Sequence, residues 1–238
     1  MTTKKRTLLI IPAYNEQDSI LSTIRTIDTS LYDYIVINDG STDNTLKILA
    51  ENHCQHINLC FNLGIGGAVQ TGYKYAFEND YDIAIQYDAD GQHDISYINQ
   101  LIEPIVNHQA NLVIGSCFVD KSTKNHRSSK MRRFGIHFLS NVIKVFSGKR
   151  IYDPTSGFRA ADRKAIEHFA NKYPLEYPEP VSNFEVLKST RLKIKEIPVK
   201  MNKRTAGKSS ISSWKTLYAG LNVLLSIIII SFKRSPHD

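Results

Sequence analysis

Two carboxylates one residue apart, Asp88 and Asp90, are the side chains of this sequence best suited to chemistry. They follow Asp82-Ile83-Ala84-Ile85-Gln86-Tyr87, an apolar run of strand length, and they precede Gly91. A buried parallel strand would deliver both to its C-terminal end, the edge where open α/β sheets bind ligands. Paired carboxylates there suit a hard divalent cation that also holds phosphate oxygens. The same residues also fit a solvated acidic turn, so the neighbouring loops matter.

Three further stretches carry polar or glycine-rich turns after apolar runs. Pro12-Ala13-Tyr14-Asn15-Glu16 follows the first, with a plain capped turn as the alternative. Asn38-Asp39-Gly40-Ser41-Thr42-Asp43 follows the second; Asp39 could accept a hydrogen bond from a base or ribose, or only stabilise the turn. Asn62-Leu63-Gly64-Ile65-Gly66-Gly67 follows the third. Its glycines, Gly64 and Gly67 among them, would let backbone N–H groups approach a ligand at a helix start that favours negative charge. Each turn alone is weak. Four at one sheet edge ask for a nucleotide and a metal.

The elements that must position these loops alternate. Strands are expected at Thr7–Ile11 (closed by Pro12), Tyr34–Ile37, Ile57–Phe61, the run before Asp88, and Leu112–Gly115. Helices are expected over 16–28, from Asp43-Asn44-Thr45, over 64–77 and over 95–107 with Pro104 disturbing its end. That order implies right-handed βαβ units and a mostly parallel sheet. After residue 118 it breaks down. Residues 120–133 are polar and basic, 134–146 and 182–190 read as helices, and another helix starts near Asp162. Residues 173–180 are Pro-punctuated, and 193–200 alternate as an outer strand.

Composition limits the rest. The chain has 238 residues, enough for one large domain or a domain with an appendage, and is 42% hydrophobic. Its net charge of +7 favours anionic partners: nucleotide phosphates, anionic headgroups or nucleic acid. No recognition motif supports nucleic acid. The cysteines Cys54, Cys60 and Cys117 read as reduced, buried thiols in a cytoplasmic protein, and no signal peptide is expected. From Leu217 to Phe232 the chain is uncharged, with Lys215 before it and Lys233-Arg234 after it. That is shorter than the roughly 20 residues of a comfortable span. It reads as a helix lying in or on a membrane surface, with packing on the protein's own core or a full span as the alternatives. The expected division is residues 1–212 as the catalytic domain and 213–238 as the membrane-associating helix.

The sequence resembles the inverting family 2 glycosyltransferases of the GT-A fold, and within them the dolichyl/polyprenyl-phosphate sugar transferases. The resemblance rests on Pro12 to Glu16, Asn38 to Asp43, Asn62 to Gly67, Asp88-Ala89-Asp90-Gly91-Gln92-His93, Asp153-Pro154-Thr155-Ser156-Gly157-Phe158-Arg159, and Arg204 to Ser209 after Ile197-Pro198-Val199. It implies an α/β fold with a Rossmann-like sheet and a C-terminal apolar helix. It implies that Pro12, Ala13, Tyr14 and Glu16 line the nucleotide pocket, that Asp39 contacts the base, and that Gly64, Gly67 and Ala89 border the donor. Asn38 stands where relatives often carry a first Asp. By the same resemblance Asp88 and Asp90 hold Mg²⁺ or Mn²⁺, Gln92 lies near the donor sugar, and Arg204 reaches the diphosphate. Ser156 and Arg159 belong to the acceptor side, with Arg159, Asp90, Gln92 and Arg204 forming the catalytic set.

A lipid-phosphate acceptor is already anionic and needs cations to position it. Arg132, Arg133 and Arg159 are candidates, a solvated basic face being the alternative for the first two. A sugar-hydroxyl acceptor would instead need a base, and Glu179 is the candidate. The expected activity is transfer from a nucleotide sugar, UDP-linked by preference, to undecaprenyl or dolichyl phosphate at the cytoplasmic membrane face. The alternatives are extension of a cell-surface or lipid-linked glycan at a hydroxyl, and a noncatalytic scaffold, which the intact Asp88/Asp90 pair disfavours. The short apolar tail also raises docking on a small membrane protein or self-association.

Overall fold

A computed structural model describes residues 5–119, 130–202 and 213–232. Its strands are β1 (Thr7–Ala13), β2 (Asp33–Asn38), β3 (His56–Asn58), β4 (Ile83–Gln86), β5 (Leu112–Ser116), β6 (Arg159–Asp162) and β7 (Ile194–Pro198). They form one sheet in the order β3-β2-β1-β4-β6-β5-β7. Every neighbouring pair is parallel except the two made by β6, which runs antiparallel between β4 and β5. The sheet is the mostly parallel one expected, with an outer strand at β7.

The helices are α1 (Ile20–Ile24), α2 (Thr45–Glu51), α3 (Gly64–Glu78), α4 (Ile98–Val106), α5 (Lys130–Ser147), α6 (Arg163–Asn171), α7 (Pro178–Ser189) and α8 (Ser213–Phe232). The period-two pattern of β1 distributes them. Leu9 and Ile11 point into one layer with Ile20, Leu49, Ile98 and Leu101, and so cover α1, α2 and α4. Leu8 and Ile10 point into the other with Val69, Tyr73, Ile166 and Phe169 of α3 and α6. Each fully buried Ile or Leu contributes about 1.5–3 kcal/mol. A Cβ on Gly72 would lie 2.2 Å from Ile10 Cγ2, so only glycine lets α3 lie this close on β1.

Several sequence expectations are corrected. Pro12 continues β1, opposite Ile37, rather than closing it. Its missing N–H faces the side where β4 has already ended, because β4 pairs no further along β1 than Ile10. The 16–28 helix is reduced to α1, and β3 stops at Asn58. β6 was not expected, and α7 begins at Pro178, inside the Pro-punctuated stretch 173–180 that reads as extended or turning. A third apolar cluster joins Ile143 of α5, Val181 and Phe184 of α7, and Val223, Ile227 and Ile230 of α8.

Candidate active site

Strands β1 to β4 all end at one edge, as register requires: Ala13 lies beside Asn38, Asn38 beside Asn58, and Gln86 beside Ile10. The first two loops are stitched together. Asn15, at φ 57, accepts from the Thr42 N–H at 2.8 Å, and its own N–H donates to Ser41 Oγ at 2.9 Å. The Glu16 N–H donates to Thr45 Oγ1. Tyr14 is left exposed at the edge, whereas Pro12 and Ala13 are buried in the strand end and present no side chain to a ligand.

Asp39 is buried, and its Oδ1 accepts from the Leu63 N–H at 2.7 Å. Burial raises its pKa, offset in part by the N–H groups of Leu63 and Gly64. The negative charge at the start of α3 is therefore Asp39 itself. Two glycines of this turn also serve packing. A Cβ on Gly66 would meet the Pro174 and Leu175 carbonyl oxygens at 2.2 and 2.3 Å, and one on Gly67 would meet Leu63. Gly66 lets α3 pack against the 174–175 backbone, and Gly67 makes room for Leu63 at the helix start. The Gly64 N–H donates to Asn62 Oδ1.

Beyond β4 the chain delivers Asp88, whose side chain is 35% exposed, and Asp90, 8% exposed as a residue. The Gln92 N–H donates to Asp90 Oδ1 at 3.0 Å. Ala89 is buried in the core, its carbonyl held by Thr23 Oγ1 at 2.8 Å. His93 is buried beneath the loop. Its Nδ1 accepts from the Asp88 N–H at 3.0 Å, and its Nε2 stands 3.4 Å from Asp88 Oδ2. Burial pushes the imidazole down to about 4, against the pull of Asp90 and Glu179, so it is neutral near pH 7. The Gln92 carbonyl accepts from the Asn202 N–H at 2.9 Å. The strand-following segment is thereby tied to the loop just before Arg204, which itself lies outside the described residues.

Behind the carboxylates lies a buried polar row. Arg159 of β6 pairs in register with Gln86 and is fully buried. Its Nε donates to Gln86 Oε1 at 3.4 Å, its Nη1 to Ser182 Oγ at 2.9 Å, and its Nη2 to the Tyr173 hydroxyl. Gln86 Nε2 in turn donates to Glu179 Oε1 at 3.4 Å. Desolvation raises the Glu179 pKa, opposed by Arg159, and the Asp88 charge raises it further. Arg159, expected at the acceptor, thus spends its guanidinium on protein partners. Ser156 is likewise buried, its Oγ donating to the Gly115 carbonyl at 2.6 Å. Arg133 is half-buried in the first turn of α5, where Arg132 also lies, though the Arg132 side chain is outside the description.

Two residues here were missed in the sequence. A Cβ on Gly157 would lie 2.8 Å from Gln86 Nε2 and 3.4 Å from Asp88 Oδ2, so β6 approaches the carboxylate as closely as glycine allows. Glu196 of β7 accepts from the N–H groups of Tyr152 and Asp153, holding the 153–159 loop. Only their long-range contacts give them meaning. Cys60, expected buried, is exposed; Cys54 and Cys117 are buried.

The donor set fits a hard divalent cation. Both oxygen-bearing side chains come from one short loop, and both ring nitrogens of the nearby His93 lie within 3.4 Å of Asp88. Among the described residues no group of three or more His, Cys, Asp and Glu side chains could hold a metal alone. The remaining coordination positions would fall to phosphate oxygens and water, as Mg²⁺ commonly requires.

A family model described as Glycosyl transferase family 2 matches residues 8–170. The chain belongs to this family. Among similar proteins, the UDP-N-acetylglucosamine–dolichyl-phosphate N-acetylglucosaminyltransferase of Methanococcus voltae is 34% identical over 213 residues, covering 81% of this chain and 84% of that one. The undecaprenyl-phosphate mannosyltransferase of Micrococcus luteus is 29% identical, covering 92% of each. The fold is that of glucosyl-3-phosphoglycerate synthase from Mycobacterium tuberculosis, solved with Mn²⁺, UDP and phosphoglyceric acid. The TM-score is 0.66 at 15% identity, over 98% of this chain and 80% of that one. The GT-A-type architecture expected from the family resemblance is the one observed, and the protein is a transferase of this family.

Proposed function

We propose that this protein moves a sugar from a nucleoside-diphosphate sugar to a polyprenyl phosphate, with inversion at the anomeric carbon. The observation that carries the reading is the convergence of Asp39, Asp88 and Asp90 at one sheet edge, with the chain leading to Arg204 tied to Gln92. A relative named for transfer to dolichyl phosphate supports the acceptor, and its UDP-sugar name supports a UDP-linked donor.

Each residue then has a task. Asp39, already oriented by the α3 start, offers its other oxygen to the base. Tyr14 packs on the nucleotide. Asp88 and Asp90 would hold Mg²⁺ or Mn²⁺, which neutralises charge developing on the leaving diphosphate. Arg204 adds positive charge to the same diphosphate, and Gln92 orients the donor sugar. Arg132 and Arg133 receive the acceptor phosphate, which attacks without a base. Arg159 acts one step back, fixing Gln86 and Glu179 from inside the protein.

The same proposal places the enzyme on the cytoplasmic face of a membrane. Phe134, Phe138 and Val145 form an exposed stripe on α5, and Leu221, Leu225, Ile228 and Phe232 another on α8. Phe134 is 74% and Phe232 83% exposed. Neither helix contains an Asp or Glu, while α5 carries Lys130, Arg132, Arg133 and Lys144. No helix among the described residues is long and apolar enough to cross a membrane. Apolar stripes with cationic flanks suit a shallow position among anionic headgroups. In this reading residues 1–212 are the catalytic domain and 213–238 an anchor. A second use of the α8 stripe is self-association or docking on a small membrane protein.

One observation favours a second acceptor. Glu179 is a half-buried carboxyl of raised pKa near Asp88, which suits a base for a sugar hydroxyl of a glycan. Transfer assays with undecaprenyl phosphate and with glycan acceptors, run side by side, decide between the two.

A further inference from the structure

We propose that His93 is a positioning residue for the metal-binding carboxylate, clamping Asp88 by its main chain and its side chain at once. The inference rests on the reading of Asp88 as a metal ligand and extends it to a residue with no contact to substrate.

The geometry is specific. Nδ1 of His93 accepts from the Asp88 N–H at 3.0 Å, so in the neutral ring the proton sits on Nε2. Nε2 is the nitrogen 3.4 Å from Asp88 Oδ2. Both nitrogens of one imidazole thus lie within 3.4 Å of one residue, Nδ1 hydrogen-bonded to its main chain and Nε2 beside its carboxylate. An ordinary core histidine would satisfy its nitrogens wherever partners happened to lie. The ring is itself immobilised: it stacks on Phe158 at 4.5 Å and 18°, and the Tyr87 hydroxyl donates to the His93 carbonyl at 3.1 Å. Phe158 is fully buried and adjoins Gly157, which abuts the same carboxylate.

The chemistry follows from the choice of donor. A neutral N–H orients a carboxylate and leaves its negative charge for a cation, whereas a lysine or arginine there would neutralise it. Fixing Oδ2 sets the direction in which Asp88 presents its remaining electron pairs. Partners of this kind are worth about 10–100-fold in metal affinity when removed.

The test uses full-length protein, UDP and Mn²⁺, with bound Mn²⁺ read by electron paramagnetic resonance. His93→Gln places an amide N–H near the position of Nε2; His93→Asn keeps only an acceptor near Nδ1. His93→Asn is expected to weaken Mn²⁺ binding about tenfold or more at unchanged UDP affinity without metal, and His93→Gln to recover most of it. Equal affinities in wild type and a folded His93→Asn overturn the proposal, as does equal weakening in both variants. If His93→Asn does not fold, nitrogen NMR of the wild-type imidazole decides: the Nε2–H tautomer is expected near pH 7, and an Nδ1–H tautomer contradicts it. Failure of wild type to bind Mn²⁺ with UDP would sink the metal reading instead, leaving the tautomer as a separate result.

Discussion

The Asn202 N–H donates to the carbonyl of Gln92 at 2.9 Å, so the chain entering the Arg204 segment starts from the loop that carries Asp88 and Asp90. Two stretches far apart in sequence thereby share one anchor. Arg204→Ala is expected to lower kcat by about 100-fold, with Arg204→Lys recovering only part, because a point charge replaces the guanidinium fork. Steady-state kinetics with saturating donor checks this; an unchanged kcat in Arg204→Ala would remove Arg204 from the reaction.

Gln86 joins Arg159 to Glu179, so Glu179 separates the two acceptor readings. With a lipid phosphate no proton has to be removed, and Glu179→Gln should retain kcat within about threefold. With a sugar hydroxyl the same change should cost about 10²–10⁴-fold. The pH profile gives a second readout, since loss of a base flattens its acidic limb.

Gly157→Ala forces a methyl group to within 2.8 Å of the Gln86 amide and 3.4 Å of the Asp88 carboxylate. Misplacement at a reacting centre is costly, and activity is expected to fall about tenfold or more while the protein still folds. Comparing kcat/KM with the midpoint of urea unfolding separates the two effects.

The apolar stripes on α5 and α8 should direct binding to vesicles containing anionic lipid. Phe134→Ser with Phe138→Ser, or removal of residues 213–238, is expected to shift the protein to the supernatant in vesicle sedimentation. Added salt should weaken binding of the intact protein through its cationic flank. Binding to neutral and anionic vesicles alike would contradict the electrostatic part.

Acid should destabilise the metal-free protein through His93 and His168. His93 is held neutral down to about 4, and burial also lowers the half-buried His168, whose Nε2 has no hydrogen-bond partner among the described residues. The unfolded chain takes up these protons near 6.5, so it binds more protons than the fold in this window. Stability is therefore full above 6.5 and falls as pH drops toward 4, by up to ~3 kcal/mol for His93. Urea unfolding in chelator at pH 7, 5.5 and 4.5 checks the sign.

The sheet edge was legible in the sequence because β1, β2 and β4 are each built on an apolar run closed by a polar or glycine turn, while β3, His56-Ile57-Asn58, was placed only approximately. Asp39, Asp88 and Asp90 fall where those runs end. β6 was not legible: Arg159-Ala160-Ala161-Asp162 is short, has charged ends and reads as a loop, yet its arginine is fully buried through partners up to 73 positions away in sequence. Separation in sequence likewise hid the role of Gly66, whose reason is the Pro174–Leu175 backbone, and of Glu196, whose reason is the loop at 152–153. Patterns report an element's own periodicity; they do not report what a later segment will lay against it.

The most direct measurement is sugar transfer by the purified full chain, with Mg²⁺ or Mn²⁺, a panel of labelled nucleotide sugars and undecaprenyl phosphate, beside an Asp90→Ala protein. The account expects a labelled lipid product from one donor, abolished by chelation and reduced at least ~100-fold in Asp90→Ala. Transfer to a glycan hydroxyl with none to the lipid phosphate, or lipid transfer unaffected by both chelator and Asp90→Ala, would contradict it.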